Sequence, residues 1–413
     1  MAPPISDIAY AAYVISTVTA KSTFEYYWHG PRLPSWDLKF QVRRDIMNYF
    51  ISHGMPQLKN DDGIEDLDIY ALTSTMRAKG LQETQLPEEK GLYRAFNIPV
   101  RSVDIDVRRF AAAGVAREAL VKLAEADRTG EGLERTIGCE VVAATEALDA
   151  LAKHTRGKDT LLACKPVHDD ERIVVYLHGG GYVIGSPASH RSLAGSISKE
   201  SQARVIPIDY RLTPKHPFPA HVHDVLIAYV YLTDQGFKAE NIVVAGDSAG
   251  AHLGLAFVHL ARLIGIPQPG GLVLLSPWGD LVTTKASLER NKEYDYLVMQ
   301  PITSPLSYAR MFYAPGCPLT EQMRREMADP LVSPINGSFK GFAPTLIQAG
   351  AKELLVDDIT DLYTAIRDQN PGSPGLVVFE PYDDMNHVFQ VFSDRPESAK
   401  AIASIGTFIK GLH

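Results

Sequence analysis

Cysteine is scarce: Cys139, Cys164 and Cys317 are the only three in 413 residues, far apart and without C-x-x-C spacing. That excludes a disulfide framework and a cysteine zinc site, and points to a reducing, cytoplasmic compartment. Basic charge is not in excess either. Lys plus Arg number 41 against 49 Asp plus Glu, a formal net charge of −8, and no stretch concentrates cations, so a nucleic-acid partner is not expected. No apolar run reaches the roughly 20 residues of a spanning helix. The nearest, residues 8–20, is diluted by Ser16, Thr17 and Thr19, and Asp7 rather than a cation precedes it, unlike a secretory signal. It reads as a helix that packs on the body or touches a membrane surface. Internal repeats, low-complexity tracts and the G-x-x-x-x-G-K-[ST] phosphate loop are also missing. What is there is a globular profile, 45% hydrophobic and 22% charged.

Along residues 36–53, Leu38, Val42, Ile46, Tyr49 and Phe50 recur at helical spacing. A short helix around 66–76 and another over 113–126 follow. The first 130 or so residues therefore read as helix and loop without strands. Strand character begins at 139–143 and 160–164. Regular alternation then sets in, with strands at 173–177, 205–208, 242–244, 272–275, 345–348 and 376–379. Helices fit at 189–200, 220–232, 358–367 and 397–409. This is the pattern of an α/β fold, a mainly parallel sheet with helices on both faces. The interval 279–342 interrupts it and carries Tyr294, Tyr296, Tyr308, Phe312 and Tyr313, too long for a simple loop. Four segments result: a helical N-terminal cap (1–135), a first core part (136–278), a cap insertion (279–342) and a second core part (343–413).

The chain is organised around Gly246-Asp247-Ser248-Ala249-Gly250, set between the β-branched run Ile242-Val243-Val244 and a small, apolar helical pattern. G-x-S-x-G between strand and helix is the nucleophile-elbow context, which would lift the Ser248 hydroxyl above the strand ends. Upstream, His178-Gly179-Gly180-Gly181-Tyr182 directly follows a strand. Its glycines let main-chain N–H groups face an oxyanion, so Gly180, Gly181 and Ala249 are the expected donors. His178, Gly179 and Asp247 are expected to support them. A base belongs after the last strand, where His387 stands, the one of 13 histidines in that place. An acid belongs after the preceding strand, where Glu353, Asp357 and Asp358 are available; each could instead serve as a first-turn helix acid. The set suits acyl transfer and needs no metal or organic cofactor.

These motifs resemble the hormone-sensitive-lipase-like family of α/β-hydrolases, the HGGG esterases. The resemblance rests on His178-Gly179-Gly180-Gly181, Asp209-Tyr210-Arg211-Leu212 with Pro214, Gly246-Asp247-Ser248-Ala249-Gly250 and His387-Val388-Phe389, over residues 173 to about 392. It implies the α/β-hydrolase fold with a largely helical cap, and a triad of Ser248, His387 and an acid. Where the family has Asp-Pro-Leu-x-Asp, this chain has Glu353-Leu354-Leu355-Val356-Asp357, which maps the acid to Glu353 with an Asp-to-Glu change and no proline. The Asp209-Tyr210-Arg211-Leu212 segment would tie the loop beneath the site. The implied function is hydrolysis of a carboxylic ester of a largely apolar small molecule, with substrate choice in the cap. The same site could serve acyl transfer, amide cleavage or cyclisation, and residues 29–36 are similar to fungal members that look like tailoring hydrolases of secondary metabolism. A non-catalytic receptor, as the plant gibberellin receptor of this family is, would have its histidine replaced; His387 is present.

Overall fold

The structure is a computed structural model and describes residues 5–54, 90–100, 117–127, 134–155, 157–304, 306–373 and 375–412. Short β-branched runs without polar alternation make strands buried on both faces. The strands are β1 Gly91–Pro99, β2 Thr136–Ala144, β3 Ile173–Leu177, β4 Arg204–Asp209, β5 Ile242–Asp247, β6 Gly271–Leu275, β7 Thr345–Gly350 and β8 Val377–Tyr382, with β1 and β8 the partly exposed edges. They form one eight-stranded sheet in the order β1-β2-β4-β3-β5-β6-β7-β8. From β4 to β8 every pair is parallel, while β1 and β2 close one side as antiparallel strands.

The longer helices are α1 Ile5–His29, α2 Leu38–Gly54, α3 Arg117–Asp127, α4 Pro187–Ser201, α5 Ala220–Asp234, α6 Ala249–Leu263, α7 Tyr308–Tyr313, α8 Val356–Asp368 and α9 Pro396–Gly411. The period-2 alternation of the strands divides the core. Val175, Leu177, Val244, Leu272 and Ile347 face α5, α6 and α8. Val174, Tyr176, Val243, Val273 and Leu275 face Leu193 and Ile197 of α4 and Ile402, Ile405 and Ile409 of α9. The expected α/β fold with helices on both faces is therefore what the chain adopts.

Two readings change. Residues 91–99, expected within a strand-free cap, are an edge strand paired along its full length with β2. Its pattern is mixed, with Tyr93 exposed, because an edge strand of this kind buries little of itself. Residues 160–164, expected as a strand, begin in a helical turn, Lys158–Leu161. The short helix expected around 66–76 lies outside the described residues. The N-terminal segment is docked on the body: Trp36 and Phe40 pack with Tyr296, Tyr382, Met385, Phe389 and Phe392. Helix α1 exposes Tyr13, Phe24, Tyr27 and Trp28. Among the described residues no helix is long and apolar enough to cross a membrane.

The loop after β4 is tied down by charge. The buried Asp224 of α5 accepts from Arg211 N and Nε, each at 2.9 Å, and from Arg135 Nη1 at 2.9 Å. Burial alone would raise this carboxyl, but Arg211 and Arg135 hold it below the usual carboxylate range. Its stabilisation is thus present above the ordinary carboxylate pKa and is lost as pH falls through the depressed native value. Asp224→Ala should cost about 3–5 kcal/mol at neutral pH, because two guanidiniums lose a buried partner. Denaturant midpoints should show this gap, and it should narrow as the pH is lowered.

Candidate active site

The parallel strands deliver their C-terminal ends to one edge, where sites of open α/β sheets form. At the end of β5 the chain turns at Ser248, with φ 53° and ψ −118°, and enters α6 at Ala249. A non-glycine residue at positive φ stores roughly 1–3 kcal/mol of strain. The turn is fixed by Ser248 N donating to Leu275 O at 2.8 Å. A Cβ on Gly250 would lie 1.9 Å from Leu177 O, so only glycine lets α6 start this close to β3. Ser248 is half-buried.

The loop after β3 stands beside it. Gly180 and Gly181 have φ of 112° and 61°, conformations that L side chains rarely adopt. Among the described residues none accepts from the N–H of Gly180, Gly181 or Ala249. His178, Gly179 and Asp247 are hydrogen-bonded to one another at the base of this loop. Asp247 Oδ1 accepts from Gly179 N at 3.0 Å and from Tyr176 OH at 2.6 Å. His178 Nδ1 bonds Gly179 O at 2.8 Å, and its ring stacks on Tyr210 at 4.4 Å. Burial pulls His178 down to about 3, so it is neutral and Nδ1–H is the donor. Of the Asp209-Tyr210-Arg211-Leu212 segment, Tyr210 OH makes the tie to this loop, donating to His178 O at 2.6 Å.

The expected acid and base, Glu353 and His387, lie in the loops after β7 and β8. Glu353 and His387 are both buried, with Oε2 and Nδ1 3.6 Å apart. Among the described residues neither buried ring nitrogen of His387, Nδ1 or Nε2, has a hydrogen-bond partner. Burial would lower the imidazole, but Glu353, with Asp295 and Asp247, leaves it above its ordinary value. Burial raises Glu353, and Asp295 adds to that; His387 and Ser276 oppose them. The other two acids are engaged elsewhere. Asp357 pairs with Arg290 at 2.5 Å and accepts from Ser287 N at 2.9 Å. Asp358 is pushed up to about 7 by burial and by Asp280, and accepts from Gly279 N at 2.9 Å. Both occupy the first turn of α8.

Sequence reasoning missed three groups. Ser276, just past β6, donates to Glu353 Oε2 at 2.6 Å and accepts from Val388 N at 2.9 Å, linking the acid to the base loop. Its position at a strand's C-terminal end is the signal that could have marked it. Asp295, in the insertion, accepts from Leu354 N at 2.7 Å and His387 N at 3.3 Å. His190 stands 3.6 Å from Asp247. Of the cap aromatics, Phe312 is a core residue packed against Tyr182, His221 and His252 rather than a wall of the site. The Tyr308 ring reaches the loop after β3: a Cβ on Gly181 would lie 2.6 Å from it. His252 of α6 is buried and bonds Tyr182 OH and Val332 O. Among the described residues no cluster of three or more His, Cys, Asp or Glu is arranged to hold a metal.

A family model described as alpha/beta hydrolase fold matches residues 174–391, more than half of the chain. The chain belongs to the alpha/beta hydrolase fold family. The resemblance to its hormone-sensitive-lipase branch is borne out. An acetyl-hydrolase of Streptomyces hygroscopicus is 36% identical over 257 residues, 62% of this chain and 81% of that protein. An esterase of Acinetobacter venetianus is 34% identical over 58% of this chain and 75% of its own length. Among solved structures, an esterase from the bacterial hormone-sensitive lipase family superposes with a TM-score of 0.60 at 28% identity, covering 89% of this chain and 97% of that one.

Ser276→Ala should remove the link between Glu353 and the Val388 amide. The expected result is a loss of about 1–3 kcal/mol in stability, since a buried N–H is left unpaired. Turnover of a small aryl ester should fall about 10-fold or more, measured beside a denaturant melt.

Proposed function

We infer that the chain is a carboxylic ester hydrolase working through Ser248, His387 and Glu353. The observation that carries this reading is the buried His387–Glu353 pair, at the same sheet edge as the strained Ser248 elbow. His387 Nε2 takes the proton as Ser248 Oγ attacks the ester carbonyl. The free amides of Gly180, Gly181 and Ala249 receive the developing oxyanion, and losing one such donor typically costs about 100- to 1,000-fold. Glu353 faces Nδ1, fixes the ring and stabilises the imidazolium. That imidazolium protonates the departing alcohol, and the neutral ring then activates water to release the acid. The apo Ser–His hydrogen bond need not be formed; such bonds often tighten only with substrate bound. Tyr308 beside the oxyanion loop and Tyr296, 6.0 Å from the His387 ring, favour a largely apolar ester.

Ser248→Ala should lower turnover of an aryl ester by about 10⁴-fold or more with the fold intact. Glu353→Gln should cost on the order of 10³- to 10⁴-fold, whereas Asp357→Asn should leave turnover nearly unchanged. If Asp357→Asn is the crippled variant, the acid has been misplaced by one turn.

His387 must be neutral to act as base, so kcat/KM should fall as pH drops through a value above that of an ordinary histidine. In Glu353→Gln the residual activity should show this limb at lower pH. An unmoved limb in that variant would contradict the pairing.

A further inference from the structure

The insertion turn that carries Asp295 is held from outside the catalytic core. Helix α2 presents Arg44 and Asn48, one turn apart and so on one face. Arg44 Nη2 donates to Asp295 O and, at 3.0 Å, to Lys292 O. Asn48 Nδ2 donates to Tyr296 O at 3.2 Å. Inside the turn, Asp295 N bonds Asn291 O at 3.0 Å. The other side of the turn grips both catalytic loops. Asn291 Nδ2 donates to Glu353 O at 2.8 Å, and Asp295 takes Leu354 N and His387 N. The Tyr296 ring meets the His387 ring edge-on at 6.0 Å. A second strap runs from the same N-terminal segment: Trp36 Nε1 donates to Asp384 O at 2.6 Å, three residues before His387.

We propose that Asp295 is a positioning residue for the Glu353–His387 pair, and that Arg44 and Asn48 of α2 set its place, making the N-terminal segment part of the catalytic apparatus. This rests on the assignment of Glu353 and His387 above. A carboxylate that accepts from the amide next to the acid and from the amide of the base itself fixes the distance between their loops. It can do so because its own backbone carbonyl is pinned by a guanidinium that is itself buried and fixed by Asp45 at 2.9 Å. The longer Glu side chain, replacing the family's Asp, has more rotamers to restrict, which makes such a clamp consequential. Glu353 from the loop after β7 stands 3.6 Å from the imidazole, Asp295 from the insertion and Asp247 at the end of β5 add negative charge that favours its protonated form, and the Tyr296 ring packs edge-on against it.

The test is full kinetics of the whole chain on a small aryl acetate, with active sites counted by a fluorophosphonate at its labelling end point. Asp295→Asn should lower kcat per titrated site about 10- to 100-fold with KM changed less than about 2-fold. Its acid limb should move to lower pH, because one of the negative charges that raise His387 is gone. Arg44→Met should lower kcat about 10-fold, and the double variant should lose no more than Asp295→Asn alone, as expected of residues acting in one chain of contacts. If Asp295→Asn does not fold, Asn48→Ala carries the test, with kcat reduced about 3-fold at constant KM. Unchanged kcat per titrated site with an unmoved limb would overturn the proposal while leaving Glu353→Gln crippled. Multiplicative losses in the double variant would also overturn it. Full activity of Glu353→Gln would instead remove the underlying triad, and this proposal with it.

Discussion

A carboxylate buried without a permanent cation is the constraint on which this site depends. Glu353 has no solvent exposure, one unpaired oxygen, and an imidazole rather than a guanidinium as its partner. Burial opposes its charge, and the surroundings offset that with oriented donors: the Ser276 hydroxyl and, at 3.3 Å, Gly350 N. Such an arrangement leaves the carboxylate poised rather than neutralised. Its negative charge is fully satisfied only when His387 becomes an imidazolium, which is the state an acyl-transfer transition state creates.

Everything around the pair can be read as a means of holding loops that the sheet alone does not hold. β7 and β8 bring the two loops to neighbouring positions, since Gly350 pairs with Tyr382 in the ladder. Gly350 lies against the backbone of Met385 and Asn386, so close that a Cβ would sit 2.3 Å from Met385 O. That contact joins the acid strand to the base loop directly. Ser276 adds a hydrogen-bonded bridge from β6, the strand that also fixes the elbow through Leu275 O. Ser248, Glu353 and the loop of His387, the proposed nucleophile, acid and base, therefore share one anchoring strand end.

Much of this was legible in the sequence, and for physical reasons. Apolar β-branched runs such as Ile173–Leu177 have one stable destination, a sheet buried on both faces, and from residue 173 onward the strands began within a residue of their expected starts. Gly250 and Gly180 stand where backbone contacts or positive φ exclude a side chain, so they mark the elbow and the loop after β3 without any knowledge of packing. Edge strand β1 was not legible, because its half-exposed pattern with Arg94 and Asn97 carries no clear period. Asp295 was not legible either, and Ser276 carried only its place just past the end of β6. Their importance lies in hydrogen bonds spanning 92 and 112 residues, and nothing local announces such a partner. Phe312, one of the aromatics of the insertion, packs against Tyr182, and its place there depends on contacts distant in sequence.

The central claim is that an acyl group passes through Ser248. Acid-quenching the enzyme during turnover of a slowly deacylating aryl ester, followed by peptide mapping by mass spectrometry, tests it most directly. The account predicts an acyl adduct on the peptide containing Ser248 and at no other residue, and no adduct in Ser248→Ala. An ester turned over at full rate with the adduct on a different residue, or with turnover persisting in Ser248→Ala, would contradict it.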